Sequence, residues 1–281
     1  MQIIKSPSQL KAIINQLKEK SQKIGLVPTM GSLHSGHLSL IHRARKECDI
    51  VVVSIFVNPL QFGKNEDYKK YPRDLFLDTK MLKDNKVDYL FCPAAKSLFS
   101  DDFTFSIDPG KLAKLWCGNF RPGHFQGVAT VVLKLLNLVQ PQIAYFGLKD
   151  FQQFLVVQRM AKDLNFPVQI KGLPIIREKD GLAKSSRNVY LSKEERLKAS
   201  FLYQALLLIK NQIKSGEKSV PILKKRALSL IQKKGFRVQY LGIANVNTLE
   251  EPKTVQFPCV VLLAAYLGQT RLIDNLIIRG A

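Results

Sequence analysis

Apolar and polar positions along the chain fall into two textures. Over the first two-thirds, short apolar runs alternate with stretches whose apolar residues recur at helical spacing. Residues 23–28 (KIGLVP) read as a strand that runs into Pro28-Thr29-Met30-Gly31, and residues 37–48 follow with Leu38, Ile41 and Ala44 at helical intervals. Residues 50–57 (IVVVSIFV) are nearly continuous and β-branched, as a strand covered on both faces should be. The pattern then predicts a helix over 72–85, a strand over 87–92, helices over 127–139 and 150–164 flanking a strand over 143–146, and a last apolar segment over 166–172. Strands alternating with helices at this spacing make βαβ units, and hence a Rossmann-like α/β fold: a parallel sheet with helices on both faces.

Beyond about residue 176 the texture changes. Residues 193–214 read as one long amphipathic helix, with Leu197, Phe201, Ala205, Leu208, Ile209 and Ile213 on its apolar side. A second helix is predicted over 219–234, then strands over 237–244 and 259–267 with no comparably long helix between them. The expected division is a Rossmann-like domain over 1–175 and a smaller α+β domain over 176–281, with the boundary inside 173–180.

Composition excludes several classes. Hydrophobic residues are 46% of the 281, which rules out a disordered basic tail. The formal charge of +21 raises nucleic acid, an anionic membrane or phosphorylated small substrates as partners. It is spread out: 24 Lys and Arg against 14 Asp and Glu over residues 1–175, and 19 against 8 over 176–281. The longest unbroken basic run is Lys224-Lys225-Arg226, which a solvated helix face explains. Four separated cysteines form no Cys-x-x-Cys pair, so neither a zinc ribbon nor a disulfide framework is expected. The first residues carry no apolar signal core, and no apolar run approaches the roughly 20 residues that span a bilayer. The expectation is a soluble cytoplasmic protein.

Two clusters carry chemistry. Pro28-Thr29-Met30-Gly31-Ser32-Leu33-His34-Ser35-Gly36-His37 joins the first buried strand to the next helix, where open α/β sheets bind ligands. Free amides at a helix start favour anions, and His34 and His37 can donate to phosphate oxygens or add positive charge when protonated. Gly36 is expected to let a base or phosphate approach the backbone. The second cluster, Lys184-Ser185-Ser186-Arg187, offers two cations and two hydroxyls to a triphosphate. Together the two clusters resemble the nucleotidyl-transfer superfamily that includes class I aminoacyl-tRNA synthetases.

Further motifs narrow this: Phe56-Val57-Asn58-Pro59-Leu60-Gln61-Phe62, Tyr71-Pro72-Arg73 with Asp78, Arg121-Pro122-Gly123-His124-Phe125, Phe146 to Gln153, and Arg271-Leu272-Ile273-Asp274-Asn275. In this order they resemble the pantothenate synthetase (pantoate–β-alanine ligase) family over essentially the whole chain. The resemblance implies ATP-dependent condensation of (R)-pantoate with β-alanine through a pantoyl adenylate, releasing AMP and pyrophosphate. It implies ATP contacts from Met30, Gly31, Ser32, Leu33, His34, Ser35, Gly36 and His37, from Gly147, Leu148, Lys149 and Asp150, from Ile176, and from Lys184, Ser185, Ser186 and Arg187. By the same resemblance His37 and His34, with Lys149 and Arg187, take the catalytic roles, His37 matching the family's proton donor. Gln61 and Gln153 hold pantoate, with Gln61 also near β-alanine. Asp78 is the expected Mg²⁺ ligand. The resemblance further implies a homodimer through the first domain, a second domain acting as a lid hinged near 173–180, and no nucleic-acid or membrane partner.

Three positions depart from the family pattern. Leu148 stands where an acidic residue is usual, Lys184 where an apolar one is usual, and Cys117 where Glu is common. The first two shift local charge toward phosphate binding. A nucleotidylyltransferase, a synthetase fragment and an RNA-binding Rossmann-like protein are the competing readings. Only the pantoate reading uses the Gln61 and Gln153 pair.

Overall fold

The computed structural model describes residues 1–64 and 66–280. Its first part runs β1 (Gln2–Ile4), α1 (Pro7–Glu19), β2 (Ile24–Thr29), α2 (Ser35–Glu47), β3 (Ile50–Ile55), α3 (Leu75–Asp84), β4 (Tyr89–Phe91), α4 (Ala95–Leu98), α5 (Trp116–Phe120), α6 (His124–Val139), β5 (Ile143–Gly147), α7 (Phe151–Asp163) and β6 (Gln169–Leu173). The second part runs α8 (Lys193–Lys198), α9 (Phe201–Lys214), α10 (Val220–Gln232), β7 (Arg237–Asn245), β8 (Cys259–Leu267) and β9 (Thr270–Ile278).

The first six strands form one parallel sheet in the order β1-β4-β3-β2-β5-β6. Successive residues of the central strands serve opposite faces, as the pleat requires. Leu26 and Val52 pack with α1 and α6 around Leu10, Ile14, Val128 and Leu136. Val27, Val51 and Val53 pack with α2 and α3 around Ile41, Ala44 and Leu82. This two-sided burial is why β3 is apolar almost without interruption. The chain leaves β2 toward β3 on one side and returns through β5 on the other, so the carboxyl ends of β2 and β5 open a crevice.

The second part builds its own core, in which α9 and α10 cover the antiparallel sheet β7-β8-β9 through Leu206, Ile209, Leu223, Val261 and Leu263. The other face of β8, with Val260 and Leu262, meets Phe151 and Leu155 of α7. β8 is therefore apolar on both faces because it touches two layers.

The helix expected over 193–214 is in fact two. Ala199 and Ser200 are buried in a tight turn whose carbonyls accept from Leu202 and Tyr203 three residues on. The phase of the apolar stripe resets there, which leaves Leu197 78% exposed instead of on the apolar side. β1, α1 and β9 were not legible in the pattern. β9 carries Asp274 and Asn275, both buried, so its polar residues break the alternation without facing water.

Candidate active site

The loop leaving β2 is shaped by a buried carboxylate. Gly31 and Ser32 both take positive φ (81° and 51°), which turns successive amides to the same side. Asp78, in the first turn of α3, accepts from the amide of Ser32 at 2.8 Å and of Leu33 at 2.7 Å. A Cβ on Gly31 would stand 2.9 Å from Asp78 Oδ2, so glycine is needed both for its φ and for this approach. Asp78 is 2% exposed, and among the described residues no group of three His, Cys, Asp or Glu could hold a metal ion. Both Asp78 oxygens are engaged by the loop that it shapes, and Asp78 is not among the residues lining the cleft, so the role that the structure gives it is support of that loop.

That loop delivers the histidine pair at the start of α2. The Gly36 amide donates to His34 Nδ1 at 3.1 Å, and the His34 amide donates to His37 Nδ1 at 3.3 Å. An amide can only donate, so each Nδ1 carries a lone pair and each ring proton sits on Nε2. Burial, then the nearby Lys149 and Lys184, lower the His34 pKa to about 4. Burial, then His34 and Lys149, lower that of His37 to about 3. Both rings are thus neutral at pH 7 and offer Nε2–H donors, the first of the two roles expected from the sequence, with no imidazolium in the free protein. The space over Gly36 is taken by the ring of His34, whose Cε1 would lie 2.8 Å from a Cβ there. Gly36 admits its own histidine rather than a base.

The other wall comes from β5, β6 and the second part. Gly147, Lys149 and Asp150 lie at the end of β5, with Lys149 Nζ 3.9 Å from Asp150 Oδ2. Pro174, Ile175 and Ile176 follow β6, and the Lys184 amide donates to the Ile176 carbonyl at 2.9 Å, closing a hairpin. Three groups assigned to phosphate are otherwise engaged here. Lys184 pairs with Glu178 at 2.6 Å. Arg187 grips Asp67 with two bonds, at 2.7 and 2.8 Å. The Ser186 hydroxyl donates to the Ser32 carbonyl at 3.0 Å, tying the hairpin side to the histidine loop. The Ser185 hydroxyl oxygen accepts from the Arg187 amide at 3.3 Å, which leaves its proton for a ligand.

Phe56, Val128, Val131, Val132 and Leu135 make part of the same cleft an apolar chamber, and Gln61 and Gln153 line the cleft with them. The Gln61 side chain donates to Met30 Sδ and accepts from Asn58 Nδ2, and the backbone carbonyl of Gln61 is held by His124 Nδ1 at 2.8 Å. That carbonyl can only accept, so His124 is protonated on Nδ1, and its Nε2 receives Arg121 Nη1 at 3.1 Å. Glu66 holds Arg121 in turn, through Nε and Nη2 at 2.5 Å each. Burial, with Arg121 second, lowers the His124 pKa to about 3.

One continuous cleft of about 1380 Å³, counting solvent at its mouth, joins these walls. Met30, His34, Gly36, His37, Gln61, Gly147, Lys149, Asp150, Gln153, Ile176, Lys184, Ser185, Ser186 and Arg187 line it. Gly31, Ser32, Leu33 and Ser35 do not line it; the first three form the carboxylate nest behind it. Leu148 does not line the cleft and packs over Gly172. Cys117 is buried, its sulfur 3.6 Å from Arg271 Nη2. The supporting groups Glu66 and Asp67 were not singled out from sequence, because nothing in their spacing points to partners that lie far away in the chain.

The family model described as Pantoate-beta-alanine ligase matches residues 2–277. The chain belongs to the pantoate–β-alanine ligase family. Pantothenate synthetase of Thermosipho africanus is 49% identical over 278 residues, covering 99% of this chain and 100% of that one. The enzyme of Caldicellulosiruptor saccharolyticus is 47% identical over 279 residues, covering 99% of each. Among solved structures, the pantothenate synthetase of Thermus thermophilus superposes with a TM-score of 0.94 at 46% identity, covering 100% of both chains. The ligase of Francisella tularensis, described as complexed with beta-gamma ATP and β-alanine, gives 0.82 at 37% identity, covering 99% of this chain and 97% of that one. As a pantoate–β-alanine ligase the chain is an ATP-dependent enzyme that forms pantothenate.

Proposed function

We propose that the ligation runs through a pantoyl adenylate formed in this cleft. A pantoate carboxylate oxygen attacks the α-phosphorus of ATP, and the bond to pyrophosphate breaks. The β-alanine amine then attacks the acyl carbon, AMP leaves with that oxygen, and the amine sheds a proton. A free carboxylate is a poor acyl donor, and adenylation supplies the leaving group.

One observation carries the reading. Two neutral Nε2–H donors and the Lys149 side chain border the same space as an apolar chamber with two glutamine amides. The donors suit charge that grows on phosphate oxygens, in a site where burial strengthens each hydrogen bond. The chamber suits a branched, apolar acid with hydroxyls, and a glutamine amide can donate to and accept from such a molecule. The chemistry needs no covalent nucleophile from the protein, so positioning and charge stabilisation supply the rate.

On this reading Lys184 and Arg187 reach substrate by exchanging Glu178 and Asp67 for an incoming anion. Mg²⁺ belongs to the proposal as a companion of the triphosphate that brings its own waters; no protein carboxylate is assigned to it. The cytoplasmic location, the homodimer and the lid role of the second part are supported by the family resemblance alone. AMP release measured with pantoate, β-alanine, ATP and Mg²⁺, omitting each in turn, tests the function. Turnover that does not require pantoate would overturn it.

A further inference from the structure

The segment Arg271 to Asn275 has no part in the chemistry above, yet two of its residues grip two separate segments that together form one wall of the nucleotide cleft. Asn275 lies on β9, 3% exposed. Its side-chain amide spends both protons on the end of β5: Nδ2 donates to the Leu148 carbonyl at 2.8 Å and to the Lys149 carbonyl at 2.9 Å. The preceding residue, Asp274, is equally buried and receives Arg177 through two bonds, at 2.6 and 2.9 Å. Arg177 lies over the ring of Tyr203 at 3.7 Å and donates to the Gly181 carbonyl at 3.0 Å. Gly181 takes φ 94° with the Tyr203 ring against it, so this hairpin turn is tightly specified. The hairpin carries Ile176 and Lys184, which line the same wall as Lys149.

We propose that Asn275 is a positioning residue for Lys149, and that Asp274-Asn275 is the device by which the second part sets the cleft. Fixing two successive carbonyls fixes the backbone from which the Lys149 side chain leaves. The group required is a double donor of fixed geometry. A carboxylate of the same shape would face two carbonyl oxygens with no proton to give, so the isosteric change is worse than truncation. This inference rests on the ligase reading with Lys149 at the phosphates.

The test uses pantoate-dependent ATP–pyrophosphate exchange with the full chain. Asn275→Ala is expected to lower kcat/KM for ATP about tenfold, the effect of two hydrogen bonds of about 1 kcal/mol or less each. Asn275→Asp is expected to lower it further, and the KM for pantoate should hold within about twofold for Asn275→Ala. The losses of Asn275→Ala and Lys149→Ala should be far less than multiplicative in the double variant, since the first acts through the second. The circular-dichroism melting temperature is measured alongside. Multiplicative losses would overturn the inference, as would a lowered melting temperature with an unchanged KM for ATP. If the unaltered chain shows no pantoate-dependent exchange, the ligase reading fails instead.

Discussion

Asp78 Oδ2 lies 2.9 Å from where a Cβ on Gly31 would stand, and the same carboxylate receives the two amides that follow Gly31. This pair fixes the loop that brings His34 and His37 to the cleft, so it is structural support for the chemistry. Gly31→Ala is expected to cost about 1–3 kcal/mol of stability, because the residue is strained at positive φ and displaces the carboxylate. Asp78→Asn sets an NH₂ against an amide proton and is expected to cost a similar amount, about 1–3 kcal/mol. Denaturant unfolding measures both. Titration of Mg²⁺ into the nucleotide-free protein should be unchanged in Asp78→Asn.

The neutral histidines give the fold an acid limit. His34, His37 and His124 hold pKa values of about 4, 3 and 3, while an unfolded histidine titrates near its ordinary 6.5. The unfolded chain therefore takes up protons first as pH falls. Stability is full above about pH 6.5 and declines progressively as pH drops toward the folded values. The urea midpoint should fall between pH 7.5 and 5, and replacing His124 by Gln should flatten that fall. ¹⁵N spectra of the free protein at pH 6 should show Nε2–H tautomers for His34 and His37 and Nδ1–H for His124.

Lys184 is held 2.6 Å from Glu178, so part of its charge is offset before nucleotide arrives. Glu178→Gln should lower the KM for ATP about two- to fivefold at low salt, and less at high salt, because both side chains are partly exposed. Lys184→Met should raise it. An unchanged ATP constant in both variants would remove Lys184 from the phosphate wall.

In the exchange reaction the glutamines should report on pantoate and not on ATP. Gln61→Ala and Gln153→Ala are each expected to raise the KM for pantoate about tenfold or more, since a polar acid then lacks a fixed partner in an apolar chamber. The KM for ATP should change less than about threefold. Steady-state kinetics of the exchange reaction distinguish the two.

Legibility in the sequence followed how local each signal is. The β2 to β3 unit was readable because its strands are buried on both faces and its helix keeps a simple period. The pattern over 193–214 suggests one helix because the buried turn at Ala199 and Ser200 breaks the period without a proline or glycine to mark it. The residues lining the cleft came mostly from family motifs. Several supporting partners did not: Glu66 for Arg121 and Asp67 for Arg187 are set by tertiary approach, while Glu178 meets Lys184 across the hairpin. Those pairings also temper the charge of +21, because cations counted toward phosphate are partly matched inside the site.

The adenylate route is tested most directly by oxygen transfer. With pantoate labelled by ¹⁸O in its carboxylate, one ¹⁸O is expected in the phosphate of the released AMP and none in pyrophosphate, for each pantothenate formed. AMP free of label, or release of ADP with ¹⁸O in inorganic phosphate, would contradict the adenylate route.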